Sequence, residues 1–549
     1  MRAFAGASAL LLSAALSLPA QQPNDSVRAR VDRVFAQWRS REGPGCSAAA
    51  SQDGKTIYEA GYGSANLEAD VPITPSSIFH AASVSKQFTA MAVMLLVREG
   101  KLSLDADVHT YIPELPDYRG QRITLRHLLT HTSGLRDQWD LLAIARGRFE
   151  ENRITQDDVL DIVTRQKALN FPPGTEYLYS NSGYTLAAII VSRVAGMPMR
   201  QFAEERIFKP LGMTRTHFHD DYTMVVKGRT SAYERRRDGQ WHVSIPNFDT
   251  YGATSLFTTV GDLLKWQENF RRPVVGDTAL LRAMQTNAIL TNGDTVGYGL
   301  GLTLGGAPGM RMIGHNGADA GYRAMTGRYP DQGFAISVLC NAASADPSGL
   351  AAKASEIFLG KALPELPSPV ALQHRPPPEQ LARYTGLYVH PVTGDITYVS
   401  LKDRELIVGR TSGPALVPVG DSRFWLPGQR IEWTFQPNGG VVQTYRRRLS
   451  QHPVTLVRHD AVRPSAAELA QYAGDYTSPE LGATYTVSVA DTALSFRTGV
   501  TDAWKATPTY TDAFDGDVQV EFTRDPGGRL TGLQLSTGRV RRVWFEKVR

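Results

Sequence analysis

Between residues 78 and 100 the apolar positions Val84, Phe88, Met91, Ala92, Leu95 and Leu96 recur at intervals of three and four. That is the period of a helix with one buried face, and Gly100 ends it as a left-handed cap would. A similar stripe of Val27, Val31, Val34, Phe35 and Trp38 predicts a helix over residues 25–42. Residues 46–50 and 56–62 read as two strands joined at Asp53-Gly54, a hairpin signal. A short helix is expected from Thr124 through TLRHLLTHTSGL, an apolar helix follows Tyr179-Ser180-Asn181, and another amphipathic helix spans 260–270. Strand patterns return at 310–315, 322–329 and 334–340, and a helix at 350–359 closes the region. Strands at both ends with helices between them imply one antiparallel sheet flanked by helices, an α+β fold.

The pattern changes at residues 363–378, where Pro364, Pro367, Pro369, Pro376, Pro377 and Pro378 form a stiff, extended linker. Beyond it come short alternating runs with Gly and Asp turns. This tail repeats itself: LARYTGLY at 381–388 is echoed by LAQYAGDY at 469–476, and Phe435 with Gly439-Gly440 by Phe522 with Gly527-Gly528. Each copy has a helical lead and about eight strand-like runs, which predicts two small antiparallel β-barrels. The expected division is 1–20 leader, 21–362 first domain, 363–378 linker, 379–460 first barrel and 461–549 second barrel.

Composition narrows the classes. A chain of 549 residues with 42% hydrophobic and 21% charged content is globular and long enough for several cores. Its net charge of +5, from 59 basic and 54 acidic residues, is too small to argue for nucleic acid or a membrane surface. Arg446-Arg447-Arg448 and Arg541-Arg542 read as solvated faces. The opening residues carry Arg2, a mostly apolar run and a small residue at Ala20, the pattern of a secretory signal peptide. The run is too short to span a bilayer, so a periplasmic or secreted protein without a stable membrane anchor is expected. Two cysteines, Cys46 and Cys340, stand in strand-like runs. Two buried thiols are the favoured expectation, with a bridge as the alternative. Nothing in the sequence speaks to oligomeric state.

The candidate chemistry begins at Ser83-Val84-Ser85-Lys86. Helical spacing puts Ser83 and Lys86 one turn apart at a helix N-terminus, where backbone N–H groups favour developing negative charge. A buried lysine loses its proton readily, so the pair has the makings of nucleophile and base. S-x-x-K alone also arises by chance, with Ser83 a mere cap. Two later motifs add partners: Tyr179-Ser180-Asn181 before a helix and His315-Asn316-Gly317 at a strand end. Tyr179 can relay a proton if a cation lowers its pKa, and Asn181 can hydrogen-bond a substrate amide. Gly317 permits close approach to the strand edge, and the Ala318 N–H completes an oxyanion hole with that of Ser83. His127 and His131, at i and i+4, and the His217, His219, Asp220, Asp221 group have metal-like spacing without a full ligand set. They read as structural, and neither metal nor organic cofactor is expected. The absence of a G-x-S-x-G elbow argues against an α/β-hydrolase.

With these three motifs in order, the sequence resembles the serine β-lactamase and penicillin-binding-protein superfamily, nearest its class C type, in which Y-x-N replaces S-D-N. The phrases LLTHTSGL (128–135), PPGTEYLYSNSGY (172–184), KPLGM (209–213) and YGLGL (298–302) extend the likeness over residues 28–360. The resemblance implies a β-lactamase-like domain and a serine hydrolase acting through an acyl-enzyme: Ser83 as nucleophile, Lys86 and Tyr179 as base and acid, Asn181 and His315 positioning the substrate. His315 stands where β-lactamases usually have the lysine of K-T-G. A histidine charged part of the time near pH 7 implies altered carboxylate binding and moves the expected substrate from β-lactams toward small peptides, D-residue amides and esters. The barrels resemble those of the D-aminopeptidase branch, where a barrel loop reaches the active site. The rival expectation is a binding or sensory protein that acylates, or holds peptidoglycan fragments, with negligible turnover.

Overall fold

The computed structural model describes residues 24–147, 152–307, 309–360, 370–372, 376–427, 429, 431–437, 439–445, 453–499 and 503–548. The leader, Arg446-Arg447-Arg448 and most of the proline-rich linker lie outside them. The first domain is built on one antiparallel sheet of β1 (Cys46–Gln52), β2 (Lys55–Tyr62), β3 (Thr303–Ala307), β4 (Met310–Asp319), β5 (Tyr322–Tyr329) and β6 (Phe334–Cys340), in the order β3-β4-β5-β6-β1-β2. The first and last strands of the domain do share a sheet. Asp53 and Gly54 both take positive φ, as a two-residue hairpin turn requires.

Register settles the cysteines. Cys46 lies directly opposite Cys340 where β1 pairs with β6, and the two form a disulfide. The expectation of two buried thiols is therefore corrected: sequence separation hid a cross-strand pair.

The helix at the centre, Ser85–Arg98, is buried on every side from Ser85 to Leu96, not on one face. It runs through the middle of the helical layer, so its polar residues need internal partners. The Gln87 side-chain oxygen accepts from Trp266 Nε1 at 2.9 Å, and the Thr89 hydroxyl donates to the Gly252 carbonyl at 2.8 Å. The first helix is Asn24–Val34 with a separate turn at Ala36–Trp38, shorter than expected. The helix begun at Thr124 is only Leu125–Leu129. His131 lies beyond it at positive φ, so it does not share a helix face with His127.

Each tail repeat folds as anticipated. Among the described residues, those between 386 and 459 form an eight-stranded antiparallel sheet and those between 474 and 547 a closed eight-stranded barrel. The second barrel docks on the first domain. Arg136, 2% exposed in its side chain, pairs with Glu480 at 2.8 Å and donates to the Arg541 and Arg542 carbonyls. The Arg541 side chain, 14% exposed, reaches Glu176 at 3.0 Å. Arg541 is thus an interface residue rather than part of a solvated face; a barrel sequence cannot show which rim meets a neighbouring domain.

Candidate active site

Ser83 sits on the tight turn Ala82–Val84 that leads into the Ser85–Arg98 helix. Ala82 is held at positive φ, a costly conformation for a residue with a β-carbon. The Ser85 side chain staples the turn, donating to the Ala82 carbonyl at 2.6 Å and accepting from the Leu256 N–H at 2.9 Å. Strand β4 runs past this turn. Its pairing with β3 ends at Gly314, so the edge from His315 onward is not covered by that neighbour. At Gly317 a β-carbon would fall 2.3 Å from the Ala81 carbonyl oxygen and 3.1 Å from the Ser83 nitrogen. Only glycine lets the strand lie this close to the serine.

Lys86 Nζ has three neighbours: Ser83 Oγ at 3.2 Å, Asn181 Oδ1 at 2.8 Å and the Ala253 carbonyl at 2.8 Å. Complete burial pushes its pKa well below the ordinary lysine range; Asp137 opposes this and Arg539 reinforces it. A neutral amine has two N–H groups and one lone pair. The Asn181 and Ala253 oxygens can only accept, so they take the two protons, and the lone pair is left for the Ser83 hydroxyl. This is the arrangement of a general base on a nucleophile.

Asp137 fixes Asn181. Its Oδ2 accepts from both the Asn181 backbone N–H, at 2.6 Å, and side-chain Nδ2, at 2.9 Å, while Oδ1 caps the Gln138–Arg146 helix by accepting from Trp139 N–H at 3.0 Å. A carboxylate accepts only, so the amide oxygen must face Lys86. An aspartate before an apolar helix is a legible cap; its second task needed the fold. Asn181 therefore serves the lysine directly, besides any contact with substrate.

The Tyr179 ring lies 4.8 Å from Lys86 Nζ. Its hydroxyl is buried without a hydrogen bond of ordinary geometry, although Ser83 acts on it. Burial raises its pKa above the ordinary tyrosine value, and the opposing effects of Ser83 and Arg539 do not reverse this. The condition of a pKa lowered by a cation is not met: burial outweighs Arg539, and Tyr179 is a neutral phenol. His131 packs beneath it with ring centroids 4.1 Å apart and accepts from the Ser180 N–H at 3.1 Å.

His315 is also corrected. Its Nδ1 lies 2.5 Å from the Asn316 carbonyl and must donate, so Nε2 accepts from the Tyr298 hydroxyl at 2.9 Å. Burial, with the nearby Lys86, lowers its pKa to about 3. It is neutral at pH 7, not partly charged, and both nitrogens are engaged. Tyr298, from the YGLGL phrase, was not singled out from the sequence. Of the metal-like groups, His127 caps its own helix, Asp220 pairs with Arg200 at 3.1 Å, and His217 stacks on Phe257. Among the described residues no three acidic, histidine or cysteine side chains are placed to hold a metal ion.

The second barrel adds a residue. The connection between its last two strands, Leu530–Ser536 and Val543–Lys547, enters the first domain. The Asn170 side-chain amide donates to the Arg539 carbonyl at 2.9 Å, and the Arg539 N–H donates to Asp140 at 3.1 Å. The Arg539 guanidinium lies 5.0 Å from the centre of the Tyr179 ring.

Comparison with known proteins identifies the family. The beta-lactamase family profile matches residues 27–359, and a domain family of unknown function, DUF3471, matches residues 458–547. Penicillin-binding protein 4* of Bacillus subtilis (strain 168) is 30% identical over 318 residues, 53% of this chain and 67% of that protein. A D-aminopeptidase of Brucella canis is 24% identical over 535 residues, covering 94% of this chain and 98% of its own. The octameric penicillin-binding protein homologue of Pyrococcus abyssi superimposes with a TM-score of 0.57 at 24% identity, over 79% of this chain and all of its own, a likeness of fold. With the family profile spanning more than half its length, the chain belongs to the β-lactamase family, within the serine β-lactamase and penicillin-binding-protein superfamily of serine hydrolases.

Proposed function

We propose that the protein is an exported serine hydrolase that works through an acyl-enzyme on small peptides or amides, those with D-residues first, ahead of simple esters and of β-lactams. The carrying observation is the buried Lys86 Nζ within hydrogen-bond reach of Asn181, Ala253 and Ser83; as the neutral amine it gives its two protons to the first two and its lone pair to the Ser83 hydroxyl. Ser83 Oγ attacks the carbonyl carbon and its proton passes to Lys86 Nζ. The resulting oxyanion lies between the Ser83 and Ala318 N–H groups. On collapse, the leaving nitrogen takes a proton from the Tyr179 hydroxyl, which is refilled from the Lys86 ammonium. Water then repeats the sequence on the acyl-enzyme, releasing the acid and restoring Ser83. The D-aminopeptidase name of the Brucella relative supports D-residue substrates. Export is supported by the leader-like opening sequence and by the Cys46–Cys340 bridge, since disulfides persist in oxidising compartments.

Turnover of D- and L-aminoacyl amides, D-Ala-D-Ala peptides, p-nitrophenyl esters and a chromogenic cephalosporin, by wild type and Ser83→Ala, tests the reading. D-aminoacyl amides or peptides are expected to be cleaved best, and all turnover to vanish in the variant. Turnover that survives Ser83→Ala would sink the proposal. Stoichiometric β-lactam labelling without product release from any substrate would replace it with the binding or sensing reading.

Gly317→Ala tests the strand edge. The added methyl meets the Ala81 carbonyl and must displace β4 from Ser83, and such a misplacement lowers kcat/KM by roughly 100-fold. Unchanged kinetics in a folded Gly317→Ala protein would remove the strand from the mechanism.

A further inference from the structure

Four basic side chains surround the reacting atoms: Lys86, His131, His315 and Arg539. Burial is the main cause that pushes Lys86 well below the ordinary lysine range and keeps His131 and His315 neutral at pH 7, and the polar contacts of all three are internal. Arg539 differs in each respect. It comes from the second barrel, it is only partly buried, and an arginine stays charged throughout the working pH range. Among the described residues its guanidinium makes no ion pair or hydrogen bond. Asp140 accepts from its backbone N–H rather than from its side chain. It lies against the face of the Tyr179 ring, and Asp140 feels its charge without pairing with it, which leaves the N–H fork free for a planar anion.

We propose that Arg539, carried into the catalytic cleft by the second barrel, binds a carboxylate of the substrate, so that preferred substrates are peptides bearing a free carboxylate on the leaving-group side of the scissile amide. The side follows from position: Arg539 lies over the ring whose hydroxyl protonates the leaving nitrogen. The barrel supplies the cation that His315, neutral and doubly hydrogen-bonded, does not. This inference rests on the hydrolase reading above and specifies its substrate. A substrate recognised through a cationic amino terminus would be repelled at this point.

The test compares an N-acetylated D,D-dipeptide ending in a free carboxylate with its C-terminal amide, using wild type, Arg539→Ala and Arg539→Lys. Loss of a charged hydrogen-bonding partner is expected to lower kcat/KM for the carboxylate peptide by roughly 10- to 100-fold, mostly through KM. With both peptides measured on the plateau above the Lys86 limb, which Arg539→Ala also shifts, the amide should lose clearly less than the carboxylate peptide, and Arg539→Lys should recover part of the difference. Equal losses on both peptides would make Arg539 a positioning residue for Tyr179, and no loss on either would remove it from recognition; both overturn the proposal. Labelling of Ser83 by a neutral fluorophosphonate in wild type and Arg539→Ala reports separately on the nucleophile. If wild type turns over neither peptide, the hydrolase reading fails. Calorimetric binding of the two peptides to Ser83→Ala, with and without Arg539→Ala, then still decides the carboxylate preference, which is overturned if both peptides bind alike.

Discussion

Lys86→Met lowers kcat/KM by roughly three orders of magnitude, the scale of a lost general base, and leaves Ser83 unlabelled by a fluorophosphonate. Methionine keeps the volume of the buried stem and removes only the amine, so the folded protein remains available for measurement. The same lysine sets the acid side of the pH profile. Its conjugate acid has no lone pair for Ser83, so activity is full while Lys86 is neutral and falls as pH drops through its depressed pKa, with a slope of one proton. The direction of that limb can be moved. Asp137 favours the ammonium and Arg539 disfavours it, so Asp137→Asn shifts the limb to lower pH and Arg539→Ala to higher pH. A wild-type profile without a one-proton acid limb, or a Lys86→Met enzyme within tenfold of wild type, would assign the base elsewhere.

Arg136→Leu costs roughly 3–5 kcal/mol of stability, because it leaves Glu480 buried without its cation. The pair is 2% and 8% exposed, and the Glu480 carboxylate is otherwise held by the Lys167 N–H at 3.0 Å. The Arg541 and Arg542 carbonyls lose a donor in the same step. Because those carbonyls flank the segment bearing Arg539, the variant also loosens the barrel from the cleft. The expected signs are a lower Tm and faster proteolysis between the domains. The companion variant Arg136→Leu/Glu480→Leu recovers much of the loss, since replacing both charges by apolar groups removes the unpaired one. A loss below about 1 kcal/mol, the range of an exposed pair, would show that water reaches this interface.

Much of the site was legible because its residues lie in short segments whose spacing carries the chemistry. Ser83 and Lys86 are three residues apart on one turn, and Tyr179 and Asn181 flank a helix start. The features that escaped were those in which one residue answers to another far along the chain. Asp137 looks like an ordinary helix cap until Asn181, from a different helix, is seen to share its carboxylate. Tyr298 belongs to a phrase that marks the family but does not show that its hydroxyl donates to His315 Nε2. The charge states of Tyr179 and His315 are not legible in the sequence because both depend first on burial, which neighbouring residues in sequence do not set.

The sequence by itself determined which serine and lysine stand one turn apart, the α+β domain and the paired barrels, because helical and strand periods and short motifs are local properties. Tertiary structure decided the rest. It placed Cys46 opposite Cys340, buried Lys86 with its Nζ against Ser83, neutralised His315, and brought Arg539 from the far end of the chain to the Tyr179 ring. Desolvation and long-range docking fix these, and both depend on which surfaces the folded domains press together.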